Sequence, residues 1–73
     1  MIVLKAKPKE TYRVDVLFYD GERQSFQGVI EVNETRNKYP IFERRKEYNI
    51  TTKNKKIHSV KFDEVKAIMW DVE

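Results

Sequence analysis

The stretch Tyr12-Arg13-Val14-Asp15-Val16-Leu17-Phe18-Tyr19-Asp20-Gly21 decides how the chain is read. Apolar side chains at 12, 14, 16 and 18 recur with period two, the mark of a strand with one buried face. Asp20-Gly21 then supplies a tight turn, since both residues tolerate positive φ. A second strand is expected to run to about Asn33, with Phe26, Gly28, Ile30 and Val32 on one face and Gln27, Val29 and Glu31 on the other. A glycine inside a strand marks a bulge or a sharp bend, so Gly28 is expected to redirect the chain.

Working outward, Asn33 to Asn37 reads as a loop. Residues 39–52 admit two readings. A helix could begin at Pro40 and place Ile41, Arg45 and Tyr48 on one face. Tyr48, Ile50 and Thr52 alternate as a strand does, and a long, bent, largely exposed strand is favoured. Its residues 39–50 would form an edge of the sheet. Lys53-Asn54-Lys55 is expected at a hairpin tip. The returning strand places His58, Val60 and Phe62 together, with Ile57 opposite. Asp63 suits a single helical turn near 62–65. Residues 66–72 close as a strand with Ile68, Trp70 and Val72 on one face. The predicted core is Val14, Val16, Phe18, Phe26, Ile30, Val60, Phe62 and Ile68.

The fold class is therefore mainly β, in one domain over residues 1–73: a small five-stranded antiparallel barrel or strongly bent sheet. The opening strand, the Asp20-Gly21 turn, the glycine-bearing second strand and the short turn before the last strand resemble the small SH3-like and Sm-like β-barrel domains. That resemblance implies a barrel. It assigns no binding residue, because Gly28 lies further from the turn than the second glycine of the Sm pattern, and residues 33–37 lack the Sm RNA-binding signature.

Seventy-three residues allow one modest core, and self-association is one route by which so small a domain gains stability. A hydrophobic fraction of 40% with nine aromatic residues argues against disorder. The absence of cysteine excludes disulfides, thiolate metal sites and cysteine nucleophiles, and fits a cytoplasmic setting. The opening apolar run, Ile2-Val3-Leu4, is too short for a signal peptide or a membrane span, so no membrane partner is expected.

Catalytic chemistry finds little support. His58 is the sole histidine, and its neighbour Ser59 would point to the opposite face of a strand. A half-buried structural histidine is the expected outcome. The carboxylates of Asp15, Asp20 and Glu22, and of Asp63 and Glu64, read as turn and surface chemistry. Two isolated glycines cannot build a phosphate loop. No enzyme activity, cofactor or metal is expected.

The net charge of +3 is unevenly spread. Residues 35–61 hold nine basic against two acidic side chains, a net +7, while both flanks are net negative. A segregation of this kind suits an acidic partner. Arg44, Arg45 and Lys46 form one cluster, and Lys53, Lys55 and Lys56 another near the hairpin tip. Tyr39, Phe42 and Tyr48 are interleaved with the first. Phosphates bind such cations and unpaired bases stack on such rings, so a nucleic-acid-binding module with its basic hairpin at 39–61 is the leading reading. A solvated charged surface would look alike. The alternative is an accessory or inhibitor protein docking on a host protein through its edge strand, with Trp70 as an anchor. In size and Lys/Asn-rich composition the chain looks like the small accessory proteins of phages and mobile elements. For Trp70 itself, a core residue that covers one end of a barrel is the favoured reading.

Overall fold

The computed structural model describes residues 1–36 and 46–73. Its strands are β1 (Ile2–Lys5), β2 (Tyr12–Phe18), β3 (Arg23–Arg36), β4 (Lys46–Thr52), β5 (Ile57–Lys61) and β6 (Val65–Val72), with a 3₁₀ turn at Phe62–Glu64. All pairings are antiparallel and form one sheet in the order β5-β4-β3-β2-β6, while β1 pairs with the second half of β3. The fold is mainly β, as the alternation requires. β1 is a sixth strand, beyond the five that the sequence pattern suggests.

The alternation of β2 holds: Val14 and Val16 are fully buried, while Arg13 faces solvent. Phe18 N–H donates to Glu22 O (2.9 Å) and Gly21 N–H to Phe18 O (3.0 Å), closing the turn into β3. Gly21 has φ +90°, and Asp20 has no positive φ. The loop is thus a three-residue turn with glycine in the left-handed position. The Asp20 carboxylate accepts from Glu22 N–H at 2.8 Å.

β3 departs from simple alternation twice. Against β2, the register moves from Tyr12↔Val29 to Val14↔Phe26, which inserts one extra residue around Gly28. Against β4, Val29↔Thr52 is followed by Glu31↔Thr51, which inserts another at Ile30. Each single insertion flips the facing of every later residue in the strand. The two cancel, so Phe26 and Val32 both point inward as alternation predicts. Between them Val29, and not Ile30, is fully buried.

The predicted core survives in part: Ile30 gives way to Val29, and Phe62, in the 3₁₀ turn, is only half-buried and lies outside the cluster. Val14, Val16, Phe26 and Val60 are buried, and Phe18 and Ile68 pack against them. Val29, Val32 and Ile50 complete the cluster. Each such side chain contributes about 1.5–3 kcal/mol on burial. Among the described residues no second layer covers this cluster. The sheet encloses it by bending: the rings of Phe26 on β3 and His58 on β5 lie 5.0 Å apart, although β4 separates their strands in the sheet. The sheet is nevertheless not closed into a barrel. β5 and β6 end the main path, β1 is a further edge beside β3, and no pairing joins β5 to β6 among the described residues. Of the architectures expected, the closed barrel is not formed: the described strands make one open six-stranded antiparallel sheet.

The 3₁₀ turn falls where anticipated, although no side-chain cap holds it and Asp63 lies inside the turn. Residues 46–52 are a strand and not a helix. They do not form an edge, and they are not largely exposed: β4 is flanked by β3 and β5, with Ile50 and Thr52 buried. The proposed helix start at Pro40, and the remainder of the edge expected at 39–50, lie outside the described residues. No helix among the described residues is long and apolar enough to cross a membrane.

Candidate functional site

A row of paired residues crosses the sheet at one level: Val72 opposite Tyr12, Tyr12 opposite Val29, and Val29 opposite Thr52. Glu73, Thr11, Gly28 and Lys53 are each one residue from that row. They meet around a groove of about 500 Å³ that Gln27, Asn54, Lys56 and His58 complete.

The turn that carries the lysines repeats the geometry of the first hairpin. Thr52 N–H donates to Lys56 O and Lys55 N–H to Thr52 O, both at 2.9 Å. Lys55 occupies the left-handed position, φ +65°. The buried Thr52 hydroxyl donates to the Asn54 side chain, fixing the turn from within. Lys53 N–H donates to Gly28 O at 2.8 Å, so the turn is tied to the bulge of β3. The Lys53 methylenes lie over Gly28, 3.5 Å from where a β-carbon would sit. Gly28 N–H in turn donates to Glu73 Oε1 at 2.7 Å. Lys53, Lys55 and Lys56 are exposed, and none forms an ion pair among the described residues.

The remaining candidate residues are distributed elsewhere. Lys46 stands at the far end of the seven-residue β4, roughly 20 Å from Thr52 by strand rise. Its Nζ lies 3.5 Å from Glu34 Oε1 and 5.1 Å from the centre of the Phe62 ring. Tyr48 is half-buried with its ring 5.3 Å from that of Phe62, inclined by 30°. Burial, and then the Glu34 carboxylate, push the Tyr48 hydroxyl pKa up. Lys46 and Tyr48 thus form a packed cluster with Phe62, and Tyr48 does not present a free face for a base. Tyr39, Phe42, Arg44 and Arg45 lie outside the described residues.

Trp70 lies opposite Val14 and so points to the inward side, where it is 42% exposed at the rim of edge strand β6. His58 is exposed rather than half-buried, because the turn beside it opens into the groove. No three His, Asp or Glu side chains among the described residues gather to hold a metal.

Gln27, Thr11 and Glu73 are groove residues that the sequence does not announce. Only Gly28 carries a signal, as a strand glycine that implies a bulge or close approach. The opposite end of the sheet is acidic. There Tyr19 N–H donates to Glu64 O (3.0 Å), gathering Asp20, Asp63 and Glu64 around Phe18. No protein-family model, curated protein or solved structure shows a significant match to this chain.

Proposed function

We propose that this domain is a small, non-enzymatic, cytoplasmic binding module that grips the phosphates of a nucleic acid with the basic turn between β4 and β5. One contrast carries the reading. Arg13, Lys46 and Lys61 lie within ion-pair distance of Asp15 and Asp71, Glu34 and Glu64 respectively, whereas Lys53, Lys55 and Lys56, like Lys5, Lys7, Lys9, Arg23 and Lys66, have no such partner among the described residues; of these, Lys53 and Lys56 line the groove. Lys53, Lys55 and Lys56 stand together on the hydrogen-bonded turn that borders the groove. Lysines held this way neutralise phosphates and release counterions, which drives binding without sequence preference. Arg44 and Arg45 would add a second set of phosphate contacts, and Tyr39 a stacking surface. Among the described residues His58 is the one aromatic ring that lines the groove, which favours backbone contacts over extended base stacking. The run of strands ending in a 3₁₀ turn and a last strand supports grouping this open sheet with the SH3-like and Sm-like domains.

The test is fluorescence anisotropy with labelled single- and double-stranded oligonucleotides at low and moderate salt. Wild type should bind at low salt. Lys53→Ala/Lys55→Ala/Lys56→Ala should flatten the dependence of log K on log salt by about 2–3 units. Absence of binding at low salt, or an unchanged slope in the triple variant, overturns the reading.

A second reading rests on β6. Its outer edge is unpaired among the described residues, and Met69, Trp70 and Val72 are 41%, 42% and 60% exposed. A partner protein of the kind that phage-type accessory proteins engage could add a strand there, with Trp70 as anchor. Binding of that kind would respond weakly to salt.

A further inference from the structure

We infer that the backbone N–H of Gly28 is the seat for one phosphoryl group of the ligand, and that the side chain of Glu73 occupies this seat in the free protein. The inference rests on the reading of the groove as the polyanion site. Gly28 lies in the gap between two ladders. The pairing of β3 with β2 skips from Phe26 to Val29, and the pairing with β4 starts only at Val29. Its N–H is therefore taken by neither ladder, and its partner is a carboxylate oxygen from a residue 45 positions away in sequence.

The surroundings suit an anion. Gly28 has φ +64°, a left-handed conformation of the kind found in backbone turns whose N–H groups receive anions. Lys53 is clamped over it through the Lys53 N–H to Gly28 O bond, and Lys56 and His58 line the same groove. A carboxylate accepting this backbone N–H makes the one backbone contact that a phosphate oxygen would make, while no lysine ammonium lies within ion-pair distance of it among the described residues. Glu73 is positioned to act as stand-in because its own N–H donates to Thr11 O at 2.9 Å, leaving the side chain free to swing out. Lys53 and Lys56 then neutralise the incoming group. A seated carboxylate both blocks the N–H and repels the phosphate, so ligand and Glu73 compete.

The test uses ¹⁵N-labelled wild type, Glu73→Gln and Glu73→Ala, titrated with inorganic pyrophosphate at low salt. The chain has only two glycines, so both amide signals are easily followed. The Gly28 amide should shift saturably, and the Gly21 amide, at the far end of the sheet, should not. Removing one like charge beside the ligand should tighten the apparent Kd about fivefold in both variants. Glu73→Gln keeps the shape and an acceptor oxygen, so it guards against a folding defect in Glu73→Ala. An unmoved Gly28 amide, or the same Kd in all three proteins, overturns the inference. A labelled oligonucleotide on the same wild-type sample separates the two claims. Pyrophosphate at Gly28 without oligonucleotide binding removes the nucleic-acid reading and keeps the seat. Oligonucleotide binding with Gly28 unmoved does the reverse.

Discussion

The two hairpin turns of this domain are built alike and charged oppositely. In residues 18–22 and again in residues 52–56, the first residue's N–H donates to the fifth residue's carbonyl, and the fourth residue's N–H to the first residue's carbonyl. In both, the fourth residue is left-handed: Gly21 at φ +90° and Lys55 at φ +65°. Glycine adopts that conformation freely, whereas an L-residue is destabilised there by roughly 1–2 kcal/mol. The first turn carries Asp20 and meets Glu64 at an acidic end. The second carries three lysines beside a groove. A lysine held where glycine would be more stable is retained at some expense in folding. Lys55 brings a positive charge to that point that glycine could not supply, although Lys9, at φ +67°, shows that a left-handed lysine also occurs away from the groove.

The largest effect is expected at Gly21. Nothing lies within 4 Å of where its β-carbon would be, so a substitution there tests the backbone alone. Gly21→Val should destabilise the domain by about 2 kcal/mol, because a β-branched side chain resists positive φ. For a chain of this size the melting temperature should fall by roughly 10 °C. Thermal unfolding followed by circular dichroism measures this. An unchanged melting temperature would show that the first turn does not hold glycine in the left-handed region, and the likeness of the two turns would fail.

Elements set by local forces are legible in the sequence, and those set by distant contacts are not. β2 is legible because Tyr12, Val14, Val16 and Phe18 alternate on one buried face, and Asp20-Gly21 terminates it by local backbone preference. β1 is not, because Ile2-Val3-Leu4 is a continuous apolar run whose register against β3 is broken by a bulge. Gly28 signals a bulge, but no local feature reveals a second one at Ile30. The exchange of Val29 for Ile30 in the core depends on both. The lysine turn is legible from Lys53-Asn54-Lys55 alone. The groove is not, since its defining bond joins Gly28 to Glu73 across the chain. Lys46 and Tyr48 resemble ligand contacts because nothing near them in sequence announces Phe62, which packs on both.

An intermediate effect is expected when the second turn is given the first turn's residue. Lys55→Gly relieves the left-handed strain, but glycine's greater freedom in the unfolded chain offsets about 0.5–1 kcal/mol of that gain. The net expectation is stabilisation by about 0.5 kcal/mol, read as a rise in the urea midpoint with an unchanged slope. Nucleic-acid affinity should fall at the same time, with the salt slope reduced by about 0.7–0.9 units for one lost phosphate contact. Opposite signs for stability and binding are the signature of a residue kept for its charge. A variant that loses stability as well would mean that the Lys55 side chain packs usefully in the turn.

The smallest effect is expected from Lys46→Ala, which separates paired lysines from unpaired ones. Lys46 is engaged twice, by Glu34 at 3.5 Å and by the Phe62 ring at 5.1 Å. Its side chain remains 37% exposed, so solvent screens both contacts. Together they are worth about 0.5–1 kcal/mol. The substitution should lower stability by that amount and leave the Tyr48–Phe62 packing in place. A lysine already neutralised by Glu34 has little charge to offer a phosphate, so the salt slope of nucleic-acid binding should stay at its wild-type value. The decisive comparison is Lys46→Ala against Lys53→Ala in the same titration. If the slope falls equally for both, binding follows total positive charge rather than the turn between β4 and β5. If only Lys53→Ala lowers it, the basic contact belongs to the groove end of the sheet, and the lysine at the other end serves the fold.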